Sequence, residues 1–243
     1  MIHYTGKYAF TIDAYLADFK GKATLPMIGN FMLQAATKHA EERGFGFSSM
    51  RSRNLTWVLS RMVIEICEYP HNEEPFIIKT WVGDVNKRFT ERCFAFENKK
   101  GENIGYARST WAAIDIDTRR PTNMLELDGL NAHITNEPCP IEQMKKIQPL
   151  DKCEQIAEIT VKYSDIDINK HLNSMKYIEY FINLFDINFF IEKEIRRFAI
   201  NYLKEIHYGT KLDAFIFNES ENIYTMELRN ADITTSSARI FWK

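Results

Sequence analysis

Asp165-Ile166-Asp167-Ile168-Asn169-Lys170-His171-Leu172-Asn173 is the densest polar constellation in the chain. It lies between a β-prone run, 157–163, and a helix-prone run that starts at Ser174. The order brings a carboxylate, an amide and an imidazole toward the first amides of a helix. Those amides have no intrahelical acceptor and carry positive partial charge, so they suit an oxygen that is becoming negative. Three plainer readings compete. A calcium loop opens as D-x-D-x-N but then needs Gly at its sixth position and an acid at its twelfth. Lys170 and Lys176 stand there, which excludes it. Helix capping would use Asn169, Asn173 or Ser174 and leave the other residues without a task. A lone histidine with satisfied nitrogens is the third, and spacing alone does not decide between it and catalysis.

A second polar pair, Lys204-Glu205, lies in the strand-prone run 198–206. Of two adjacent strand residues one faces inward, and an inward carboxylate needs a partner such as His171. A surface Lys-Glu pair near a strand end is the simpler reading of the same residues. The remaining histidines show no i,i+4 pairing that would suggest a metal site, and no metal or cofactor is expected. There is no GxSxG elbow, phosphate loop or GxGxxG motif, which rules out an elbow-type serine hydrolase.

The elements that must hold these residues read twice along the chain. In the first half a β-prone run at 8–12 precedes a helix over about 26–43, with Pro26 in its first turn and Gly44 after it. Strand-like runs follow at 57–64, 76–82, 89–97 and 104–116, with Asn98-Lys99-Lys100-Gly101 as a hairpin signal between the last two. In the second half a β-prone run at 157–163 precedes a helix over about 174–190. Strands at 198–206, 211–217, 224–229 and 237–242 complete it. The intervening stretch carries Pro121, Pro138, Pro140 and Pro149 and reads as a connection. The expected domains are therefore 1–117 and 152–243, joined by a linker at 118–151. One long apolar helix plus antiparallel strands per half is an α+β architecture. The alternation in 76–82 is incomplete, so both faces of that strand are expected to be covered, by the other half among the candidates.

The 243 residues carry 31 Lys+Arg against 33 Asp+Glu, a formal net charge of −2. No basic excess exists to neutralise a phosphate backbone, and no nucleic-acid partner is expected. The most apolar stretch, 181–191, is broken by Asn183, Asp186 and Asn188 and is too short to span a bilayer. The N-terminal residues show no basic region followed by an apolar run. Cys67, Cys93, Cys139 and Cys153 form no CxxC pair. A cytoplasmic protein with reduced thiols and no membrane partner is the expectation.

Several segments together resemble one family. Asp167-Ile168-Asn169-Lys170-His171-Leu172-Asn173, continuing into Met175-Lys176-Tyr177-Ile178, is similar to the D-x-N-x-H-x-N-x-x-K-Y-I segment of the acyl-acyl-carrier-protein thioesterases of plants and bacteria. Trp57-Val58-Leu59-Ser60-Arg61-Met62 resembles that family's W-V-x-x-R-M strand. Tyr69-Pro70, Thr80-Trp81, Ala107-Arg108-Ser109-Thr110-Trp111 and Thr118-Arg119-Arg120-Pro121 follow in the family's order. The resemblance implies a double hot-dog fold, each half a sheet wrapped round its helix. It also implies hydrolysis of the thioester between a fatty acyl chain and acyl carrier protein, releasing the free acid.

By that match Asp167, Asn169 and His171 are active-site residues, and the family's following acid falls on Glu205. Plant members often carry cysteine directly after that acid, whereas this chain has Ile206, which has no nucleophilic atom. A cysteine nucleophile is thereby excluded at this site and attack by water is left. His171, or Glu205 acting through it, would deprotonate the water, with Asp167 orienting Asn169 or the helix start. Asp167 as base or nucleophile stays open. The corresponding turn of the first half, Asp18-Phe19-Lys20-Gly21-Lys22-Ala23, has neither His nor Asn, which predicts one active site per chain. The N-terminal half would then supply the acyl-chain pocket, with Met27, Ile28, Phe31 and Met32 as candidate lining. An acyl-coenzyme A thioesterase and a non-catalytic acyl-thioester sensor are the alternative functions. Lys145-Lys146, Lys193 and Arg196-Arg197 are candidates for a basic patch facing an acidic carrier. A homodimer is left open.

Overall fold

Thr24, Pro26 and an apolar stripe set the longest helix of the chain. The Thr24 side chain accepts the Met27 amide at 3.3 Å, Pro26 occupies the first turn, and α1 (Leu25–Glu41) buries Ile28, Met32, Ala35, Ala36 and His39. The computed structural model describes residues 4–127, 129–143, 145–151 and 153–243. They fall into two compact units, Met1–Gln143 and Met144–Lys243.

In the first unit β1 (Gly6–Thr11), α1, a short α2 (Phe47–Ser52) and four longer strands follow one another. The strands are β2 (Leu55–Ile66), β3 (Pro75–Val85), β4 (Thr90–Glu97) and β5 (Asn103–Asp115). They form an antiparallel order β1-β3-β4-β5-β2. The hairpin signal is realised: Asn98 Oδ1 accepts the amides of Lys100 and Glu102, both at 3.0 Å, and Gly101 takes φ +79°. Helix α2 was not anticipated, since six residues carry too little periodicity to register.

Along β3, Phe76, Ile78, Thr80 and Val82 alternate as buried positions, and Trp81 on the opposite face is also buried. Its cover comes from the same unit. The Trp81 indole donates to the Glu137 carbonyl at 3.0 Å, and Trp81, Cys93 and Ala95 cluster against Tyr106 and Cys139. Arg108, ion-paired with Glu91, donates to the carbonyls of Cys139 and Ile141. The stretch read as a linker, 118–151, is therefore divided. Its part up to Gln143 is strapped onto the first unit. Leu150 belongs to the second, where its amide donates to the buried Glu227 at 2.9 Å.

One buried group of this unit makes its stability depend on pH. His39 is fully buried, with Nε2 2.8 Å from the Tyr4 carbonyl and Nδ1 3.0 Å from the Arg92 guanidinium. Arginine can only donate, so Nδ1 accepts and the ring is neutral with its proton on Nε2. Burial, then the Arg92 charge, lowers its pKa to about 3. The unfolded chain takes up this proton near pH 6.5 and the folded chain does not, so stability is lost as pH falls from about 6.5 toward 3. His39→Gln keeps an acceptor and a donor but cannot titrate. Thermal melts between pH 7 and 4.5 should show an acid loss of at most about 1.4 kcal/mol per pH unit from this group, reduced in the variant. Identical slopes would refute it.

The second unit repeats the plan. It runs β6 (Glu154–Thr160), α3 (Ser174–Ile182), α4 (Ile187–Glu192), β7 (Ile195–Tyr202), β8 (Lys211–Ser220), β9 (Ile223–Asn230) and β10 (Ile233–Trp242). Its strand order, β7-β10-β9-β8-β6, is that of β2-β5-β4-β3-β1 in the first unit. Each half is thus a five-stranded antiparallel sheet with its helix, the expected hot-dog layout. The helix expected over 174–190 is broken. Asn183 ends α3, and Asp186 starts α4 by accepting the Asn188 amide at 2.9 Å, because short polar side chains compete for backbone partners. Helix α3 buries Met175, Tyr177, Ile178 and Phe181. The strand expected over 198–206 spans Ile195–Tyr202 instead, so Glu205 lies in the following loop.

Candidate active site

Residues 162–173 form a tight local structure between β6 and α3. A 3-10 turn at Tyr163–Asp165 leads into a loop whose neck is an antiparallel bridge between Ile166 and Leu172. The Asp167 amide donates to the His171 carbonyl at 2.8 Å, and the Lys170 amide returns to the Asp167 carbonyl at 3.0 Å. Lys170 takes φ +64°, the left-handed conformation needed to turn the chain back. The Asp167 carboxylate binds the loop from inside, Oδ1 accepting the amides of Asn169 at 2.8 Å and His171 at 3.2 Å. Asn173 then caps α3, accepting the Met175 amide at 2.8 Å while its own amide donates to the Asp165 carbonyl. Capping, one of the plainer readings, is thus real and falls to Asn173.

Asp165 is a latch. Its buried carboxylate accepts the Lys162 amide and the Tyr180 hydroxyl, each at 2.7 Å. Burial and this carboxylate push the Tyr180 pKa up, so the hydroxyl stays protonated and donating.

The loop after β7 is drawn alongside by the Leu172 amide, which donates to the Ile206 carbonyl at 2.7 Å. Ile206 is buried, and its neighbours present polar groups to the turn. Glu205 Oε2 lies 3.5 Å from His171 Nε2, an ion-pair distance beyond a good hydrogen bond. His171 is about a quarter exposed and Glu205 40% exposed, so water reaches both. The pair that strand logic would have buried is therefore brought together in a loop. The Asn169 side chain is exposed on the same turn.

Two further residues complete the cluster. The His207 ring lies 4.9 Å from that of His171, with Nδ1 3.3 Å from the Lys170 carbonyl. The Tyr177 hydroxyl donates to the Lys204 carbonyl at 3.1 Å, fixing the Glu205 loop to α3. Burial, then the charges of Glu205 and Asp167, raise the Tyr177 pKa, which places its hydroxyl within the field of both carboxylates. Tyr202 stacks edge-on against Tyr177 at 5.4 Å and donates to the Ser174 carbonyl at 3.0 Å. The sequence places Tyr177 in the family-like segment without a role for its hydroxyl and shows no partner for His207. The contacts that give them a role join elements about 30 residues apart.

The first unit contains the same turn without the chemistry. Asp18 Oδ1 accepts the amides of Lys20 and Lys22 at 2.8 and 2.9 Å, and the Asp18 amide donates to the Lys22 carbonyl at 2.7 Å. Gly21 takes φ +70°, an Ala17–Ala23 bridge closes the neck, and Thr24 caps the helix. The Ala23 amide donates to the Pro70 carbonyl just as Leu172 donates to Ile206. Position by position, Lys20 stands for Asn169, Lys22 for His171 and Tyr69 for Glu205. Asp18 keeps the place of Asp167. An aspartate retained where no imidazole follows is serving the turn.

Met27, Ile28, Phe31 and Met32 occupy the first half of α1. Ile28 and Met32 are fully buried, and the Phe31 ring packs 4.8 Å from that of Phe10. A cavity of about 140 Å³, partly open to solvent, lies against the second half of the same helix, lined by Leu33, Ala36, Ala40, Trp57, Trp111 and Leu130 among others. Among the described residues no helix is long and apolar enough to cross a membrane.

Family models match both halves: the acyl-ACP thioesterase N-terminal domain over residues 3–127 and its C-terminal domain over residues 149–243. Oleoyl-acyl carrier protein thioesterase 2 of Arabidopsis thaliana is 26% identical over 250 residues, which cover 96% of this chain and 68% of the plant protein. The oleoyl-acyl carrier protein thioesterase of Coriandrum sativum is 26% identical, covering 86% of this chain and 61% of its own length. The chain thus spans about two thirds of these chloroplastic relatives. Among solved structures, an acyl-ACP thioesterase from Bacteroides thetaiotaomicron superposes with TM-score 0.94 at 40% identity, covering 99% of this chain and 98% of that one. The 12:0-ACP thioesterase of Umbellularia californica superposes with TM-score 0.89 at 21% identity, covering 100% and 98%, a likeness of fold.

Proposed function

The chain belongs to the acyl-ACP thioesterase family, and on that premise we propose that it hydrolyses the thioester of fatty acyl-acyl carrier protein, releasing the free acid and the carrier thiol. The observation that carries this reading is the meeting of His171 and Glu205, 3.5 Å apart, beside the Asp167 turn at the start of α3.

The proposed chemistry follows from what each group can still do. Glu205 faces Nε2 of His171, so a proton on Nε2 is held toward the carboxylate and Nδ1 keeps its lone pair. That nitrogen takes a proton from water as the water oxygen attacks the thioester carbonyl. Glu205 then steadies the imidazolium that forms. The Asn169 side chain and the Ser174 amide, at the positive end of α3, hold the carbonyl oxygen as it gains charge. When the tetrahedral intermediate collapses, the carbon–sulfur bond breaks and the imidazolium returns its proton to the departing thiolate. Asp167 positions the turn.

Asp167 as base is the competing assignment, and a conservative change separates the two. Asp167→Asn retains an oxygen that accepts the Asn169 and His171 amides but cannot take a proton. Turnover should stay within about tenfold of wild type, while Asp167→Ala loses both acceptors and stability of roughly 1–3 kcal/mol. A fall of several orders of magnitude in Asp167→Asn, with an unchanged melting temperature, would transfer the base to Asp167.

Acyl carrier protein, rather than coenzyme A, is the proposed donor. Lys162, Lys170 and Lys204 are exposed around the turn, and Lys145 and Lys146 are exposed in the same unit, so an acidic partner is favoured. Lys193 is committed elsewhere, to the Glu221 carbonyl and Asn222. The N-terminal unit is proposed to hold the acyl chain. The four cysteines of the chain are free thiols, which suits the proposed cytoplasmic location. The test is thiol release from carrier protein and from coenzyme A loaded with chains of graded length. Faster release from the carrier, weakened by salt, supports the reading. Equal or faster release from coenzyme A shifts the substrate, and binding without release from either leaves a sensor.

A further inference from the structure

We propose that Cys93 and Cys139 are a redox latch, a thiol pair that closes to a disulfide on exposure to hydrogen peroxide and fastens residues 137–141 covalently to the sheet of the first unit. The placement follows from one rung of that sheet. Trp81 of β3 pairs with Cys93 of β4, and Cys93 pairs with Arg108 of β5, so the three side chains stand in a row on one face. The two outer ones hold the segment above them. Trp81 donates to the Glu137 carbonyl, and Arg108 donates to the carbonyls of Cys139 and Ile141. Cys139 is thereby set over Cys93, the middle of the row. Its side chain packs on the cluster of Trp81, Cys93 and Ala95, with Sγ 3.8 Å from the Ala107 carbonyl, and the two thiols share a hydrogen bond.

The two thiols differ as an attacking and a resolving cysteine must. Cys93 is buried, whereas Cys139, between the exposed Pro138 and Pro140, is partly open to solvent. The hydrogen bond from Cys93 and the Arg108 guanidinium lower the Cys139 pKa against the effect of burial. The same bond, with burial, raises that of Cys93. Cys139 is therefore the sulfur that attacks. It takes one oxygen of the peroxide as the O–O bond breaks, giving a sulfenic acid, and the hydroxide released leaves as water with the Cys139 proton. The Cys93 sulfur then displaces the hydroxyl from Cys139. The S–S bond forms, the S–O bond breaks, and the second water carries off the Cys93 proton. Two thiols are oxidised and one peroxide is reduced to two waters. A dithiol reductant reverses the step by exchange. His171 and Glu205 take no part in it, so the inference does not need the catalytic reading to hold.

The purified full-length chain is treated with hydrogen peroxide, its remaining thiols are alkylated, and peptides are mapped by mass spectrometry without reduction. The expected product is a linked pair of peptides carrying Cys93 and Cys139, lost after dithiothreitol. Cys93→Ala should stop at a Cys139 sulfenic acid that dimedone traps, and Cys139→Ser should give neither product. The linked chain should melt about 5–10 °C above the reduced one, because the bond closes a loop of roughly 45 residues. If either variant does not fold, the wild-type map and melt decide alone. Peroxide treatment that leaves Cys93 and Cys139 both open to alkylation would overturn the proposal. So would a wild-type Cys139 sulfenic acid that persists without a link, a link of either residue to another cysteine, or a linked chain that melts no higher than the reduced one.

Discussion

Replacing His171 with Ala is expected to lower kcat for acyl-carrier hydrolysis by roughly 10²–10⁴, the range for loss of a positioned general base. KM and melting temperature should change little. The reason lies in the local structure. The turn is held by the Asp167 carboxylate and by backbone bonds that use the amide and carbonyl of residue 171 rather than its ring. The imidazole is about a quarter exposed and removes no core contact when truncated. Steady-state thiol release and a thermal melt on the same preparation check the expectation. A variant that stays folded and retains more than a tenth of the activity would remove His171 from the chemistry.

Glu205→Gln is expected to cost a comparable factor, on the order of 10²–10⁴, and at least as much as Glu205→Ala. A carboxylate facing Nε2 favours the tautomer with Nδ1 free. A glutamine can instead donate its amide N–H to Nε2, which places the ring proton on Nδ1, where the lone pair is needed. Holding an imidazole in the wrong tautomer has that order of effect in a serine protease triad. Alanine removes the orienting charge but imposes no tautomer. Thiol release by the two variants across pH distinguishes these effects. Activity near wild type in Glu205→Gln would mean that the 3.5 Å approach has no catalytic role, returning Glu205 to the surface-pair reading.

Much of this was legible in the residues. The order of strand, helix and four strands in each half follows from apolar periodicity and turn signals, and both sheets repeat it. The turn at 165–173 stood out because carboxylate, amide and imidazole crowd a helix start, and its resemblance to the acyl-carrier thioesterases is borne out by the family matches. What was not legible depends on contacts distant in sequence. The loop after β7 meets the turn through one backbone bond, Leu172 to Ile206, and no local pattern predicts it. Glu205 was read inside a strand because β-prone residues run to Ile206, yet the ladder stops at Tyr202. The cover over Trp81 comes from residues 137–139 of its own unit rather than from the other half, and Pro138 leaves no regular signal there. Helix α3 stops at Ile182 although apolar residues continue, with Asn183 at its C-cap and the Asp186 side chain starting α4 by accepting the Asn188 amide.

Duplication gives the site assignment its internal control. Asp18 and Asp167 accept equivalent amides in equivalent turns, while Lys22 and Tyr69 stand where His171 and Glu205 stand. The aspartate is common to both halves and the imidazole–carboxylate pair is confined to one. On that ground we propose that the base depends on the pair in the C-terminal half, with Asp167 as its support.

Direct attack by water, without an acyl-enzyme, is the central claim, and rapid quench under enzyme excess tests it most directly. Carrier protein bearing a radiolabelled acyl chain is mixed with wild type and with Glu205→Gln, quenched in acid over milliseconds to seconds, and separated from the enzyme. Label should pass from carrier to free acid with none on the enzyme at any time, in both proteins. Transient label on the enzyme, mapping to a peptide that contains Asp167 or Glu205, would contradict the account and make that carboxylate a nucleophile.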